Sequence, residues 1–95
     1  MKTEYQNAII DKIRAKRLEL GYSQLDIAAL LDISTGQMGN IETPTRPHKY
    51  TIAQLSMICD EFKLPIEDLF LDNKKDFSQD EIIRRLINSI IEYEK

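Results

Sequence analysis

Apolar residues recur at intervals of three and four along most of the chain, which is the period of an amphipathic helix. Most of these segments open with Ser or Thr, followed three residues later by Gln, Glu or Asp, as at many helix N-termini. The pairs are Thr3/Gln6, Ser23/Asp26, Ser34/Gln37, Thr51/Gln54 and Ser78/Glu81. No stretch alternates apolar and polar residues for long enough to predict a strand. The chain is therefore expected to be all-helical.

Turn residues and periodicity together set the expected helix boundaries. Gly21 is placed to end the first helix in the left-handed conformation, and Pro44 and Pro47 bound an irregular segment through Lys49. Helices are expected at about 4–20, 24–31, 35–42, 52–62, 65–71 and 79–94. The inward residues are expected to be Ile9, Ile13 and Leu20, then Ile27, Ala28 and Leu31, then Leu55, Ile58 and Phe62. Residues 1–71 are expected to form one domain, 72–77 a linker and 78–95 an additional helix.

The third predicted helix has one small, uncharged side. Met38 and Ile41 share its apolar side, which is expected to dock on the body of the protein. The opposite side, here called the outer face, carries Thr35, Gly36, Gly39 and Asn40. An exposed helix face that lacks both charge and bulk suits insertion into a groove.

If that groove belongs to a nucleic acid, few residues of this helix could read its bases. Asn40 could pair bidentately with adenine, Thr35 could offer its hydroxyl or methyl group to a base edge, and Gln37 could reach a base or a phosphate. Alternatively, Thr35 and Asn40 are ordinary surface residues. Gly36 and Gly39 each lower helix stability by up to about 1 kcal/mol relative to Ala, and neither has a side chain with which to read a base. Either the helix lies unusually close to the base edges, or the protein discriminates weakly and relies on DNA shape.

Composition excludes several classes of protein. The chain has 95 residues and a net charge of −3, with 7 Lys/Arg against 6 Asp/Glu in residues 1–56 and 6 against 10 in residues 57–95. An acidic total argues against nonspecific coating of nucleic acid. One Cys and one His exclude an internal disulfide and a zinc site built from Cys and His alone. No catalytic set, phosphate loop, signal peptide or membrane span is apparent, so we expect a cytoplasmic protein without enzyme activity, metal or cofactor.

Two short predicted helices, 24–31 and 35–42, joined by a short break, have the spacing of a helix-turn-helix. From about Ile13 to Leu71 the chain resembles the Cro and phage-repressor type of helix-turn-helix regulators, also called the xenobiotic response element family. The residues that carry the resemblance are Ile13-Arg14, Arg17, Gly21-Tyr22-Ser23-Gln24, Ile27-Ala28, Leu31, Ile33-Ser34, Gly36-Gln37-Met38, Ile41-Glu42, Leu55 and Leu69-Phe70. The resemblance implies a five-helix DNA-binding domain, with its third helix in the major groove.

The resemblance also implies roles for individual residues. It places Gln24, at the start of the second helix, against a phosphate, where the helix dipole favours an anion. It implies an ion pair between Arg17 and Glu42 that clamps the third helix. In the loop before the fourth helix, Arg46 and Lys49 are candidate phosphate contacts, beside His48 and Tyr50. The family often has Gly after the glutamate, whereas this chain has Glu42-Thr43-Pro44. The resemblance therefore does not predict the path of the loop between the third and fourth helices.

The last predicted helix allows two interpretations. It could fold back on the first and fifth helices and complete their core. Alternatively, spacings of three and four could form a dimer seam, as in a coiled coil, from Ile83, Leu86, Ile90 and Tyr93. We expect a mixture of both, with two third helices brought to half-sites about 34 Å apart. Truncation after Lys75 is then expected to give a monomer that binds its operator weakly.

These observations predict a homodimeric regulator that binds duplex DNA sequence-specifically and acts as a transcriptional repressor associated with the nucleoid. A second hypothesis, from another class, is a protein-interaction module such as an antitoxin that binds a toxin through its C-terminal helix.

Overall fold

Six α-helices and one turn of 3₁₀-helix form the regular structure of the chain. The computed structural model describes all residues from Met1 to Lys95. The helices are α1 (Glu4–Glu19), α2 (Gln24–Leu31), α3 (Thr35–Glu42), α4 (Ile52–Phe62), α5 (Ile66–Phe70) and α6 (Gln79–Glu94). No strand is present. The expectation of an all-helical fold is confirmed.

Side-chain caps begin five of the six helices. At α1, α2 and α4 the hydroxyl accepts a hydrogen bond from the N–H three residues on, and that third residue accepts one from the cap N–H in return. At α3 and α6 only the hydroxyl accepts such a bond, from Gln37 and Glu81 respectively. Capping satisfies amides that the first turn of a helix cannot pair internally. The predicted starts of these five helices are therefore confirmed.

Three details differ from the sequence-based expectation. Helix α1 ends at Glu19, and Leu20, expected to be buried, is 44% exposed because the chain turns out of the helix there towards Gly21. Helix α5 begins at Ile66, with Pro65 as its N-cap. The expected linker, residues 72–77, contains the 3₁₀ turn (Lys74–Asp76), and the Phe77 ring stacks under the Arg85 guanidinium at 4.1 Å.

One hydrophobic core joins all six helices. Eight of the nine residues that the pattern predicts to be inward are buried, the exception being Leu20. The full core is Ile9, Ile10, Ile13, Ile27, Ala28, Leu31, Met38, Ile41, Tyr50, Leu55, Ile58, Cys59, Phe62, Leu69, Phe70 and Tyr93. Burial raises the pKa of the Cys59 thiol to about 11, so it remains a protonated packing group. No helix combines the length and apolar character that crossing a membrane requires.

Helix α6 lies against α1 and α5, as the first interpretation of its apolar pattern expected. Of the four residues predicted to form a dimer seam, the structure contradicts Tyr93 and leaves only Ile83 exposed. Tyr93 is only 1% exposed, and Leu86 and Ile90 pack against the core of the same chain. The outward side of α6 instead carries Ile83, Ile87 and Ile91, which are 55%, 53% and 54% exposed and are here called the isoleucine stripe. The apolar pattern of α6 is wide enough for two faces, and the core of the chain takes the one with Tyr93.

Candidate nucleic-acid interface

Helices α2 and α3 form a tight helix-turn-helix unit. Asp32 ends α2 in the left-handed conformation at φ 56°, and the N–H of Ile33 reaches back to the carbonyl of Ala28 at 3.0 Å. These bonds satisfy carbonyls at the end of α2 and turn the chain sharply towards the Ser34 cap of α3. Met38 and Ile41 are both 0% exposed. The turn therefore fixes α3 with its apolar side on the core.

The outer face of α3 lies at the surface. Thr35, Gly36 and Gln37 are exposed, and Gly39 and Asn40 are half-buried. A Cβ atom added at Gly39 would meet no atom within 4 Å, and one at Gly36 would meet only the Ser34 hydroxyl at 3.9 Å. Neither glycine is therefore needed for packing within the chain. The side chains of Thr35, Gln37 and Asn40 make no hydrogen bond within the protein and remain available to a ligand.

The ion pair expected between Arg17 and Glu42 is present and buried. Nε and Nη2 of Arg17 each donate to one carboxylate oxygen of Glu42 at 2.9 Å, and the two side chains are 6% and 4% exposed. Nη1 of Arg17 donates to the carbonyl of Tyr22 at 2.9 Å. A bidentate guanidinium–carboxylate pair fixes orientation as well as charge. It thereby ties the end of α3 to α1 and to the turn before α2.

This pair also sets the charge beside the outer face. Glu42 is the only charged residue of α3, and it lies at the C-terminal end, where the helix dipole disfavours an acid. Besides Arg17, the exposed Arg14 has its Nε atom 3.7 Å from the Glu42 carboxylate. Two guanidinium groups therefore lie against one buried carboxylate at this edge of the outer face.

Gln24 is exposed at the first position of α2, and its side chain is partly engaged. Its Nε2 atom donates to Oε1 of Glu42 at 3.0 Å, which links the start of α2 to the end of α3. Its side-chain carbonyl oxygen makes no bond within the chain. The residue therefore belongs to the same hydrogen-bonded cluster as Arg17 and Glu42.

The two predicted phosphate contacts of the loop before α4 differ in the structure. Arg46 is exposed and forms no ion pair. Lys49 is half-buried; its Nζ atom donates to the carbonyl of Tyr93 at 3.0 Å and lies 5.3 Å from the centroid of the Tyr93 ring. Lys49 therefore holds the end of α6, and Arg46 is the member of the pair that is free to meet an anion.

Sequence reasoning missed one cationic group behind α3. Lys2 is only 7% exposed, and its ammonium group donates to backbone carbonyls at the end of α3 and in the following loop. The sequence did contain one indication that such a donor was needed. No glycine follows Glu42, so the end of α3 lacks its usual cap. Nothing in the sequence indicated that the donor would come from residue 2.

Comparisons with protein-family models, with curated proteins and with solved structures found no significant match.

Proposed function

We propose that this chain is a sequence-specific regulator that binds double-stranded DNA, acts as a transcriptional repressor at the nucleoid in the cytoplasm, and reads the major groove with α3. One observation carries the proposal: the outer face of α3 is uncovered and uncharged, while Met38 and Ile41 bury its opposite side completely. A short helix held in this way after a tight turn matches the docking geometry of helix-turn-helix readers.

The two glycines of α3 support close approach to the base pairs. Together they lower the stability of an eight-residue helix by up to about 2 kcal/mol relative to alanine, yet the chain has open space at both positions. A ligand that needs the missing side-chain volume explains their presence. Of the two explanations left open by the sequence, we therefore favour an α3 that lies unusually near the base edges over weak recognition by shape alone.

The proposed DNA contacts follow from where each residue lies around the outer face of α3. Asn40 is proposed to pair with adenine, and Thr35 and Gln37 to contact neighbouring base edges or a phosphate. Gln24 and Arg46 flank α3 and are proposed to hold the DNA backbone, which fixes the register without reading the sequence.

Selection from a random duplex pool tests the function. At a stated salt concentration, the chain is expected to enrich a defined motif, and its affinity for that motif is expected to exceed that for random duplex by at least about 10³-fold. Equal affinity for all duplexes with a steep salt slope would mean nonspecific binding, and no binding to any duplex would end the proposal.

Gly39→Ala is expected to separate stability from DNA binding. Because the added methyl group meets open space and alanine favours the helix, the free energy of unfolding in urea should rise by about 0.5–1 kcal/mol. Affinity for the selected duplex should nevertheless fall by roughly tenfold, since the methyl group occupies space taken by the DNA; tenfold corresponds to about 1.4 kcal/mol. Ser56→Ala, on the exposed side of α4, is the control and should leave affinity unchanged. Unaltered affinity in Gly39→Ala would contradict close approach.

A second copy of the chain is the proposed occupant of the isoleucine stripe. If two α6 helices pair antiparallel about Ile87, Ile83 of each meets Ile91 of the other. Antiparallel pairing also opposes the two helix dipoles, and the even spacing of the three isoleucines makes the stripe self-complementary.

Ile87→Lys is expected to give a folded monomer. The side chain is 53% exposed, so its replacement should change the unfolding free energy of the monomer by less than about 1 kcal/mol while placing two like charges at the centre of the interface. Sedimentation should show the loss of dimer, with an affinity for a two-half-site duplex at least about tenfold weaker. Leu18→Lys, on an equally exposed residue of α1, should stay dimeric. A dimeric Ile87→Lys protein would contradict this interface.

The same stripe favours a second candidate function, an antitoxin-like module whose α6 binds a different protein. A wild-type chain that is monomeric at high concentration and shifts no duplex would favour that candidate over the regulator. A neighbouring gene that encodes a small toxin-like protein would add to the case.

A further inference from the structure

The end of α3 lacks the cap that helices commonly use. No glycine follows Glu42; Thr43 is extended, at φ −92° and ψ 114°, and Pro44 has no N–H to offer. The last turn of a helix leaves carbonyls without internal partners. Thr43 satisfies two of them, since its hydroxyl donates to the carbonyl of Gly39 at 2.7 Å and its N–H to that of Asn40 at 3.2 Å.

Lys2 satisfies the next carbonyl and two further ones. Its Nζ atom donates to the backbone carbonyls of Ile41 at 2.7 Å, Thr43 at 3.1 Å and His48 at 2.7 Å. An ammonium group has three protons, so all of its donors are used. No carboxylate is bonded to this ammonium, which makes it a buried cation held by carbonyl dipoles at the negative end of α3.

These three bonds join separate parts of the molecule. Lys2 immediately precedes Thr3, the cap of α1, so its backbone is fixed by that helix. Its ammonium group contacts the end of α3 and both ends of the loop from Thr43 to His48. Arg46 lies at the middle of this loop, and its N–H donates to the carbonyl of Thr43 at 3.1 Å. The position of Arg46 therefore depends on a carbonyl that Lys2 also holds.

We infer that Lys2 is a positioning residue for DNA binding, whose ammonium group sets the end of α3 and the following loop so that Asn40 and Arg46 meet the same duplex in register. This inference rests on the proposed function. Lys2 itself is behind α3 and only 7% exposed, so it is not proposed to touch DNA.

Lys2→Met in the full chain tests the inference. Methionine keeps the apolar length of the side chain and removes the three bonds. Affinity for the selected duplex is expected to fall by roughly tenfold, because the end of α3 and the loop lose their hydrogen bonds to a charged donor. The slope of log affinity against log salt should also become shallower by about one, because a loop released at Thr43 no longer holds Arg46 against its phosphate.

Two further variants separate positioning from general stability. Lys16→Met removes a half-buried lysine of α1 that pairs with Glu19, and is expected to change neither affinity nor slope. Lys2→Arg keeps the positive charge but not the compact three-donor geometry of the ammonium group, and should bind more tightly than Lys2→Met and more weakly than the wild type. Amide hydrogen exchange in Lys2→Met should accelerate at Thr43 and Arg46 and remain slow in α4.

Each result has a defined meaning. A wild-type chain that binds no duplex ends the proposed function and this inference with it. A wild type that binds while Lys2→Met binds with equal affinity and slope overturns the inference alone. Weaker binding with an unchanged slope and faster exchange throughout the core would assign Lys2 to overall stability, which also overturns the inference.

Discussion

Arg17→Met is expected to lower the free energy of unfolding by about 3–5 kcal/mol, because it removes one partner of a buried ion pair. The Glu42 carboxylate is 4% exposed and would lose two charge-assisted bonds of 2.9 Å. Arg14, 3.7 Å away and largely in solvent, offers only partial compensation. Urea unfolding measures the loss directly. Duplex affinity should fall as well, since the pair anchors the end of α3.

Lys16→Met is the matched control on the same helix. Lys16 pairs with Glu19 at the surface, at 3.3 Å, and a pair of this kind contributes little. Its loss should change the unfolding free energy by less than about 0.5 kcal/mol. In the double variant Arg17→Met/Glu42→Leu, no buried charge is left alone, so stability should recover substantially. Equal and small losses from Arg17→Met and Lys16→Met would contradict the clamp.

Tyr93→Ala is expected to lower the free energy of unfolding by about 3–5 kcal/mol, the range for removing a fully buried aromatic side chain. The Tyr93 ring packs edge-on against Phe70 at 6.1 Å, and its hydroxyl donates to the carbonyl of Tyr50 at 2.8 Å. Burial raises the pKa of this hydroxyl well above its usual range, so it stays a donor at ordinary pH. The substitution leaves a cavity and an unpaired Tyr50 carbonyl, and each of them lowers the free energy of unfolding. Glu94→Ala, next to it and exposed, should change stability by less than about 0.5 kcal/mol.

The position of Tyr93 changes the expected effect of deleting α6. From the sequence, truncation after Lys75 is expected to give a folded monomer. In the structure that deletion removes Tyr93 from the core, together with the carbonyl that accepts from Gln6 at 2.7 Å and from Lys49 at 3.0 Å. The truncated chain is therefore expected to be largely unfolded at 25 °C, as far-UV circular dichroism would show. A cooperative thermal transition like that of the full chain would contradict the role assigned to Tyr93.

Local signals in the sequence predict most of the helices well. A cap involves residues only three apart, so Ser23 or Thr51 identifies its helix start without knowledge of the rest of the fold. Likewise Gly21, at φ 82°, ends α1 for a reason internal to the backbone. The apolar side of α3 could also be predicted, because the only two large apolar side chains of this eight-residue helix lie on the same side.

Features that depend on distant residues could not be predicted in this way. The ammonium group of Lys2 meets the carbonyl of Ile41 across 39 positions of sequence, and Gln6 meets Tyr93 across 87. Which side of α6 faces the core depends on the shape of the surface formed by α1 and α5, so periodicity alone did not separate Tyr93 from the isoleucine stripe. The sequence predicted Lys49 as a phosphate contact because its partner in the structure is a backbone carbonyl, and every residue type has one.

The assignment of the outer face of α3 as the DNA-reading surface is tested most directly by titrating the isotope-labelled chain with its selected duplex and following the backbone amide resonances. The largest shifts are expected from Thr35 to Asn40, with smaller ones at Gln24 and Arg46 and none along the isoleucine stripe beyond those caused by dimerisation. Shifts confined to α5 and α6, with the amides of α3 unmoved, would contradict the assignment.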